Sequence, residues 1–170
     1  MGIPIEKSFM EMSDRFLSEE ALDQLIQLFR EQYQQFEARY LCSYSGIAET
    51  LDQLSRQNKQ MFVVSSKKTN VLQRNLEHLG LSRFIKEAIG SDKVKHYKPD
   101  PDGLQYILQN HNLNPANSIY IGDAIFDIQM AKAAGIKSCA VTWGSHSSKD
   151  LISENPDYVL SEVDEIIRVL

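Results

Sequence analysis

The chain has 170 residues, 42% hydrophobic and 24% charged, with a net charge of −5. That describes one domain, or one domain with a small appendage, with enough apolar content for a real core. The negative balance argues against a general nucleic-acid or anionic-membrane partner, and no stretch approaches transmembrane length.

The leading MGIPIEKSF lacks the charged-then-apolar layout of a signal peptide, and Glu6 stands where N-myristoylation wants Ser or Thr. Residues 3 to about 40 read as helical. Pro4 suits a first helical position, and a short helix then carries Phe9, Met10 and Met12. Ser18 is a candidate N-cap, with Glu19 and Glu20 in the first turn. Leu22, Leu25, Ile26, Phe29, Tyr33 and Phe36 follow at helical spacing. Two helices alone cannot bury that much apolar surface, so a further partner surface is expected. Tyr44-Ser45-Gly46 breaks the pattern, and a helix with Ile47, Leu51 and Leu54 inward follows.

From Met61 the rhythm changes. Met61 to Val64 is a short buried strand ending in Ser65-Ser66. Thr69 or Asn70 then caps a helix with Leu72, Leu76 and Leu79 on one face, which Gly80 closes. Residues 84–90 are a weaker strand, and Ser91 to Pro101 is a polar loop. Asp102 to Asn110 is helical, with Leu104, Ile107 and Leu108 apolar. The next segment, SIYIGDAIFDIQMAKAAG from Ser118 to Gly135, is strand, tight turn, helix, with Ile125, Ile128, Ala131 and Ala134 on one face. A strand at 138–142, a Gly/Ser-rich loop through Trp143 to Ser148 and a short helix follow, then a last strand at 157–160 and a closing helix at 162–170. Strands alternating with helices mean α/β: a doubly wound, mainly parallel sheet with right-handed crossovers. The one candidate boundary lies at residues 41–46, dividing an all-helical 1–43 from an α/β 44–170.

Cys42 and Cys139 make neither a disulfide framework nor a metal-ligand spacing. Cys139, in an apolar run, reads as a small core residue, and the plain reading is a reducing, cytoplasmic compartment.

Three places could carry chemistry, each in a loop that such a sheet brings to one edge. Ser65-Ser66, hydroxyls and N–H groups before a helix, suit a phosphate, although two serines can equally end a strand and cap a helix. Lys98, in Lys98-Pro99-Asp100-Pro101, is an ammonium group on stiffened backbone that could neutralise a phosphate, although a lone lysine is usually solvated surface. Its neighbours Lys93, Lys95 and His96 read as surface, with an auxiliary anion role open. Asp123 ends a strand and Asp127 lies one helical turn later, on the same side, and two carboxylates placed there suit a hard cation such as Mg²⁺. The alternative is an N-cap and a favourable first-turn charge.

Taken together, strand-Ser-Ser, Lys-Pro-x-Pro and strand-Gly-Asp-x-x-x-Asp are far more specific than any one of them. The combination resembles the haloacid dehalogenase-like hydrolase superfamily, in its phosphoglycolate phosphatase and β-phosphoglucomutase branch. FVVSSK is similar to the second motif of that family, HYKPDPDGL to the third and YIGDAIFDIQMAKAAG to the fourth. AVTWGSHSSKDL and PDYVLSEVDEI resemble its last strands and loops, and GIPIEKSF with the helix after Ser18 resembles the second half of its helical cap. The resemblance implies a Rossmann-like core behind a partial cap. It also implies a Mg²⁺-dependent phosphomonoesterase of small metabolites acting through an aspartyl-phosphate. Ser65 would hydrogen-bond a phosphoryl oxygen, with Ser66 beside it. Lys98 would neutralise phosphate and nucleophile, Asp123 would bind Mg²⁺, and Asp127 would support the metal through water or through Lys98.

One part of the family pattern is missing. The family begins with a strand followed by Asp-x-Asp-Gly-Thr, nucleophile first and general acid/base second. The sole Asp-x-Asp in this sequence is Asp100-Pro101-Asp102, in a loop with no strand before it. The usual central first strand is therefore absent, and a gap is expected between the strand ending at Ser65 and the strand ending at Gly122. A second copy, a swapped or complementing segment, or direct closing of the two strands would fill it. Two functional readings follow: a phosphatase-type domain, incomplete and inactive as it stands, or a non-catalytic binding protein descended from such a hydrolase. A phosphoacceptor receiver domain fits worse, because Asp123 lacks the acidic pair such a domain needs.

Overall fold

The computed structural model describes residues 5–170; the readings placed on Met1, Gly2 and Pro4 lie outside the described residues. Helix α1 spans Ile5–Met12 and α2 spans Glu19–Tyr40. These are the short helix and the Ser18-capped long helix that the sequence predicts. Ser18 caps the second, its side chain accepting from the Ala21 N–H at 3.3 Å. The two pack through Phe9 against Phe29, edge to face at 5.6 Å. Met10, Phe16, Phe36 and Tyr40 stay exposed, leaving the apolar face of this hairpin largely uncovered, as its composition predicts.

The rest alternates as the sequence suggests: α3 (Ile47–Arg56), β1 (Phe62–Val64), α4 (Thr69–His78), β2 (Glu87–Ile89), α5 (Asp102–Asn110), β3 (Ile119–Gly122), α6 (Ile125–Ala133), β4 (Lys137–Val141), α7 (Ser148–Ser153) and β5 (Tyr158–Leu160). Three local expectations change. The closing segment Val163–Arg168 is a 3₁₀ helix, not an α-helix. The N-cap of α4 is Lys68, with no side-chain bond of its own. Asp92, from the loop after β2, takes the Thr69 N–H at 2.6 Å and the Thr69 hydroxyl at 2.8 Å, and Asn70 Oδ1 takes the Val71 N–H at 2.8 Å. At α6 the N-cap is Ala124, not Asp123.

Every strand pair is parallel, but the strands form two sheets, β1-β2 and β3-β4-β5. No backbone ladder joins β1 to β3. Side chains bridge them instead: the Tyr120 hydroxyl donates to the Val64 carbonyl at 2.8 Å, and Lys98 Nζ donates to the same carbonyl at 3.1 Å. Apolar packing continues behind both sheets. On one side Leu54, Cys139, Val141, Leu160 and Ile166 form a core that gathers Met61, Ile119 and Ile121. On the other, Leu104, Met130, Ala131 and Ile136 gather Val64 and Tyr120. The alternation of Ile119, Tyr120 and Ile121 between these cores is the two-residue period of a strand covered on both faces.

Helix α6 is buried more broadly than one stripe, through Asp127, Ile128, Met130 and Ala131. Full burial of Ile128 stabilises by roughly 1.5–3 kcal/mol. Fixing α6 fixes what lies at its N-terminus. Cys139 is fully buried in the first core, where desolvation pushes its thiol pKa up to about 12, so it behaves as the small hydrophobe predicted.

Candidate functional site

The C-terminal ends of β1 and β3 and the loop before α5 meet at Lys98. Its ammonium group donates to Tyr120 Oη at 2.7 Å, Asp127 Oδ1 at 2.9 Å and the Val64 carbonyl at 3.1 Å. All three ammonium protons are thus taken by protein acceptors. The lysine is no solvated surface residue: its side chain is 11% exposed and its carboxylate partner 7%. Burial pulls the pKa of Lys98 down, but the Tyr120 hydroxyl and the Asp127 carboxylate oppose this, and the net shift is upward. Burial pushes the Tyr120 hydroxyl up as well, which keeps its proton available for Val64. The Lys98–Pro99 peptide is cis.

Asp127 works in two directions. While Oδ1 meets Lys98, Oδ2 accepts from the Asp123 and Ala124 N–H groups, both at 3.1 Å, closing the first turn of α6. The local sequence dictates this, because an acidic residue at the third helical position reaches back to the free N–H groups of the start. Gly122 makes room: a Cβ there would stand 2.4 Å from Asp127.

Asp123 is held from the other side. The loop after β4 covers it, and the Ser145 N–H donates to Oδ2 at 2.7 Å, with the Ser145 hydroxyl on the same oxygen. The His146 N–H donates to the Asp123 carbonyl at 3.1 Å. Gly144 permits this approach, since a Cβ there would fall 2.1 Å from that of Asp123. Partial burial raises the Asp123 pKa, but the Ser145 hydroxyl and N–H outweigh it, and the carboxyl titrates below its ordinary value.

Ser65, Ser66, Ser91, His96 and Lys98 line one small crevice at the mouth of β1. Ser65 Oγ accepts from the Lys67 N–H at 3.2 Å, leaving the hydroxyl proton to point elsewhere. The structure therefore brings together Ser65, Ser66 and Lys98 around the crevice, and Lys98, Asp127 and Asp123 through direct bonds. Lys93 and Lys95 are exposed, as expected for surface lysines. Tyr120, Gly144 and Ser145 are members that sequence reasoning missed. Tyr120 looked like strand core; the signal for Gly144 and Ser145 was a Gly/Ser loop after a strand at the same sheet edge.

Mg²⁺ usually takes one or two carboxylates, keeps several waters and shares substrate phosphate oxygens. Asp123 fits that role at a strand end. Asp127, committed to Lys98 and to two backbone groups, fits a supporting role better than direct ligation. Among the described residues no group of three or more His, Cys, Asp or Glu is assembled that could hold an ion by itself.

The loop that carries Lys98 is itself tethered. Asp102 Oδ2 accepts from the Lys95 N–H at 2.6 Å and the His96 N–H at 3.2 Å, and these bonds hold its pKa below the ordinary carboxylate range. A depressed folded pKa contributes stability that is present above the unfolded value, near about pH 4, and lost as pH falls through the folded value. Asp102→Ala is expected to cost about 1 kcal/mol at neutral pH. Its urea midpoint should converge on that of the wild-type protein as both are titrated through pH 4 to 2; parallel curves would contradict the tether.

The chain matches the sequence profile described as haloacid dehalogenase-like hydrolase over residues 1–141. It is 28% identical over 154 residues to the pyrophosphatase PpaX of Oceanobacillus iheyensis, covering 91% of this chain and 72% of that protein. It is also 28% identical over 154 residues to a phosphoglycolate phosphatase of Pseudomonas syringae pv. tomato, covering 91% of this chain but 55% of that enzyme. It thus spans about half the length of that phosphatase. Among solved structures, a haloacid dehalogenase-like family hydrolase from Streptococcus pneumoniae superposes with a TM-score of 0.83 at 28% identity, covering 99% of this chain and 77% of the other. The Ser65, Lys98 and Asp123–Asp127 constellation, the parallel α/β core and a profile match over most of the sequence converge: this chain belongs to the haloacid dehalogenase-like hydrolase family.

Proposed function

We propose that the chain is the phosphate- and metal-binding part of a Mg²⁺-dependent phosphomonoesterase acting on small phosphate esters. One observation supports this most: Lys98 is fixed and buried between Asp127 and the carbonyl before Ser65, so positive charge, hydroxyl and carboxylates share one strand edge. In this reading Ser65 and Ser66 bind phosphoryl oxygens, and Lys98 supplies fixed charge, exchanging its Val64 bond when a phosphate arrives. Asp123 is the metal ligand, and Asp127 supports it while orienting Lys98. A cation held there would neutralise phosphate charge. Residues 1–43 serve as the partial cap and 44–170 as the core.

The slot between β1 and β3 supports a further part of the reading: the domain is incomplete by itself. Its open strand edges and the exposed face of α1 and α2 would be covered by a complementing segment or a second copy. The rival reading, a non-catalytic binding protein, is favoured by the same gap and by the full use of the Lys98 protons. No helix among the described residues is long and apolar enough to cross a membrane. A reducing cytoplasmic setting agrees with the free Cys42 and Cys139.

Calorimetric titration with Mg²⁺ tests the site. Binding at millimolar concentration that is lost in Asp123→Asn is the expected result; equal binding by both proteins would remove Asp123 from the metal site.

A further inference from the structure

A second polar network lies away from the strand-end carboxylates, between helix α2 and the core. Glu37 is 7% exposed and Asn75 4% exposed, and they bond to each other through Asn75 Nδ2 and Glu37 Oε1. Arg74 Nε donates to the other Glu37 oxygen at 2.6 Å. The Asn75 carbonyl oxygen accepts from Lys67 Nζ at 2.7 Å and from the Tyr33 hydroxyl at 3.3 Å, and Lys67 Nζ also donates to Tyr33 at 2.9 Å. Tyr33 and Glu37 are four residues apart on α2 and so share one face. Both ends of the Asn75 amide are used, one toward Glu37 and one toward Lys67. Burying such groups is tolerated because each has a partner, and the partners exist when α2 is seated.

Lys67 carries the network into the phosphate crevice. It lies in the loop after β1, where its N–H donates to Ser65 Oγ at 3.2 Å and its carbonyl accepts from the Ser91 N–H at 2.9 Å. The loop has no slack. A Cβ at Gly90 would stand 2.3 Å from the Lys67 carbonyl oxygen and 2.3 Å from the Thr69 nitrogen. An unbroken run of bonds thus leads from Tyr33 and Glu37 on α2, through Asn75 and Lys67, to the hydroxyl of Ser65.

We propose that Asn75 and Lys67 are positioning residues that set the Ser65 hydroxyl according to whether α2 is docked. Seating of the helix and anion binding at Ser65 and Ser66 are then coupled, and by linkage an anion at the crevice favours the seated helix as much as the seated helix favours the anion. The proposal rests on the reading of Ser65 as an anion-binding residue. Simple anchoring of α2 is the competing explanation, and it makes no demand on the Ser65 loop.

The test follows backbone amides of the full chain by NMR and hydrogen exchange, with inorganic phosphate as probe, in Tyr33→Phe, Asn75→Ala, Lys67→Met and Lys67→Arg. Asn75→Ala is expected to accelerate exchange at residues 65–67 as well as along α2, and to weaken phosphate binding about fivefold or more. Tyr33→Phe, whose missing hydroxyl contacts Lys67 and Asn75 but not Ser65, shifts the Ser65 amide in the same direction. Lys67→Arg retains donors and restores much of the response; Lys67→Met does not. Faster exchange confined to α2, with residues 65–67 unchanged in Tyr33→Phe and Asn75→Ala, overturns the proposal and leaves plain anchoring. If no protein binds phosphate while the loop amides still respond to Tyr33→Phe, the coupling stands and the anion reading of Ser65 falls. Should Asn75→Ala fail to fold, Tyr33→Phe and the two Lys67 variants decide the matter.

Discussion

Given Mg²⁺ and an aryl phosphate, this chain alone is expected to show no turnover above that of its Asp123→Asn variant. The reason lies in the commitments of the carboxylates at the strand ends. Covalent phosphoryl transfer needs an oxygen nucleophile in line with the phosphorus. Asp127 is 7% exposed and bonded to Lys98 and to two backbone N–H groups. Asp123 has one oxygen held by Ser145 and is the group best placed for a metal. Asp100 Oδ1 accepts from the Asp102 N–H at 3.0 Å, and the Asp102 carboxylate is taken by the Lys95 and His96 N–H groups. Among the described residues no strand lies between β1 and β3, where one could present a further carboxylate to this edge. Loss of a nucleophile costs on the order of a million-fold in kcat, which places any residual rate below detection in an ordinary assay. Steady turnover that vanishes in Asp123→Asn would sink this account, because a group assigned here to structure would have to be the nucleophile, or an assembled partner would have to supply it.

The largest stability effect is expected from Lys98→Met. The variant leaves the Asp127 carboxylate buried without its cation, and breaking a buried pair from one side typically costs about 3–5 kcal/mol. That is a large share of the roughly 5–15 kcal/mol that holds a domain together. It also removes one of the two side-chain bridges to the Val64 carbonyl, and so part of what joins the two sheets. Lys98→Met combined with Asp127→Leu should recover much of the loss, since no unpaired charge then remains, although the turn at Asp123 and Ala124 loses its acceptor. Thermal unfolding of the two single variants and the double variant forms a cycle that isolates the pair. Equal, additive losses would show that Lys98 acts by packing alone. The pair should persist through neutral pH: the raised folded pKa of Lys98 means its stabilisation is complete below the ordinary lysine value and is lost only as pH rises beyond it.

The chain spans 55% of the phosphoglycolate phosphatase of Pseudomonas syringae pv. tomato. Among the described residues no strand lies between the β1 and β3 edges, and Lys98 and Tyr120 turn to the Val64 carbonyl there.

The order of elements was legible from the residues. Period-two alternation at Ile119 to Ile121 and helical spacing in α5 and α6 are local properties, and local backbone sterics and side-chain periodicity settle them. So were the positions of Ser65, Lys98, Asp123 and Asp127 at one edge, because parallel strands with right-handed crossovers leave little choice. The absent motif led to an expected gap, and among the described residues no ladder joins β1 to β3.

Tertiary structure alone decided the rest. Whether Lys98 is surface or buried depends on Tyr120 and Asp127, 22 and 29 residues away, and no window of sequence contains that contact. Folding also set what Asp127 meets: the N–H groups of Asp123 and Ala124 and the Lys98 ammonium. Asp92 takes the Thr69 N–H at the start of α4, beside Asn70 on the Val71 N–H, because the loop after β2 folds back across the helix start. Asn75, a polar residue in an apolar stripe, looks like a cost until Glu37, 38 residues earlier, arrives to satisfy it. Sequence determined which segments form and which strand ends meet, since those follow from short-range periodicity and chain handedness. Folding decided which polar group each buried side chain keeps, since a buried hydrogen bond is chosen by whatever partner the remote chain brings within reach.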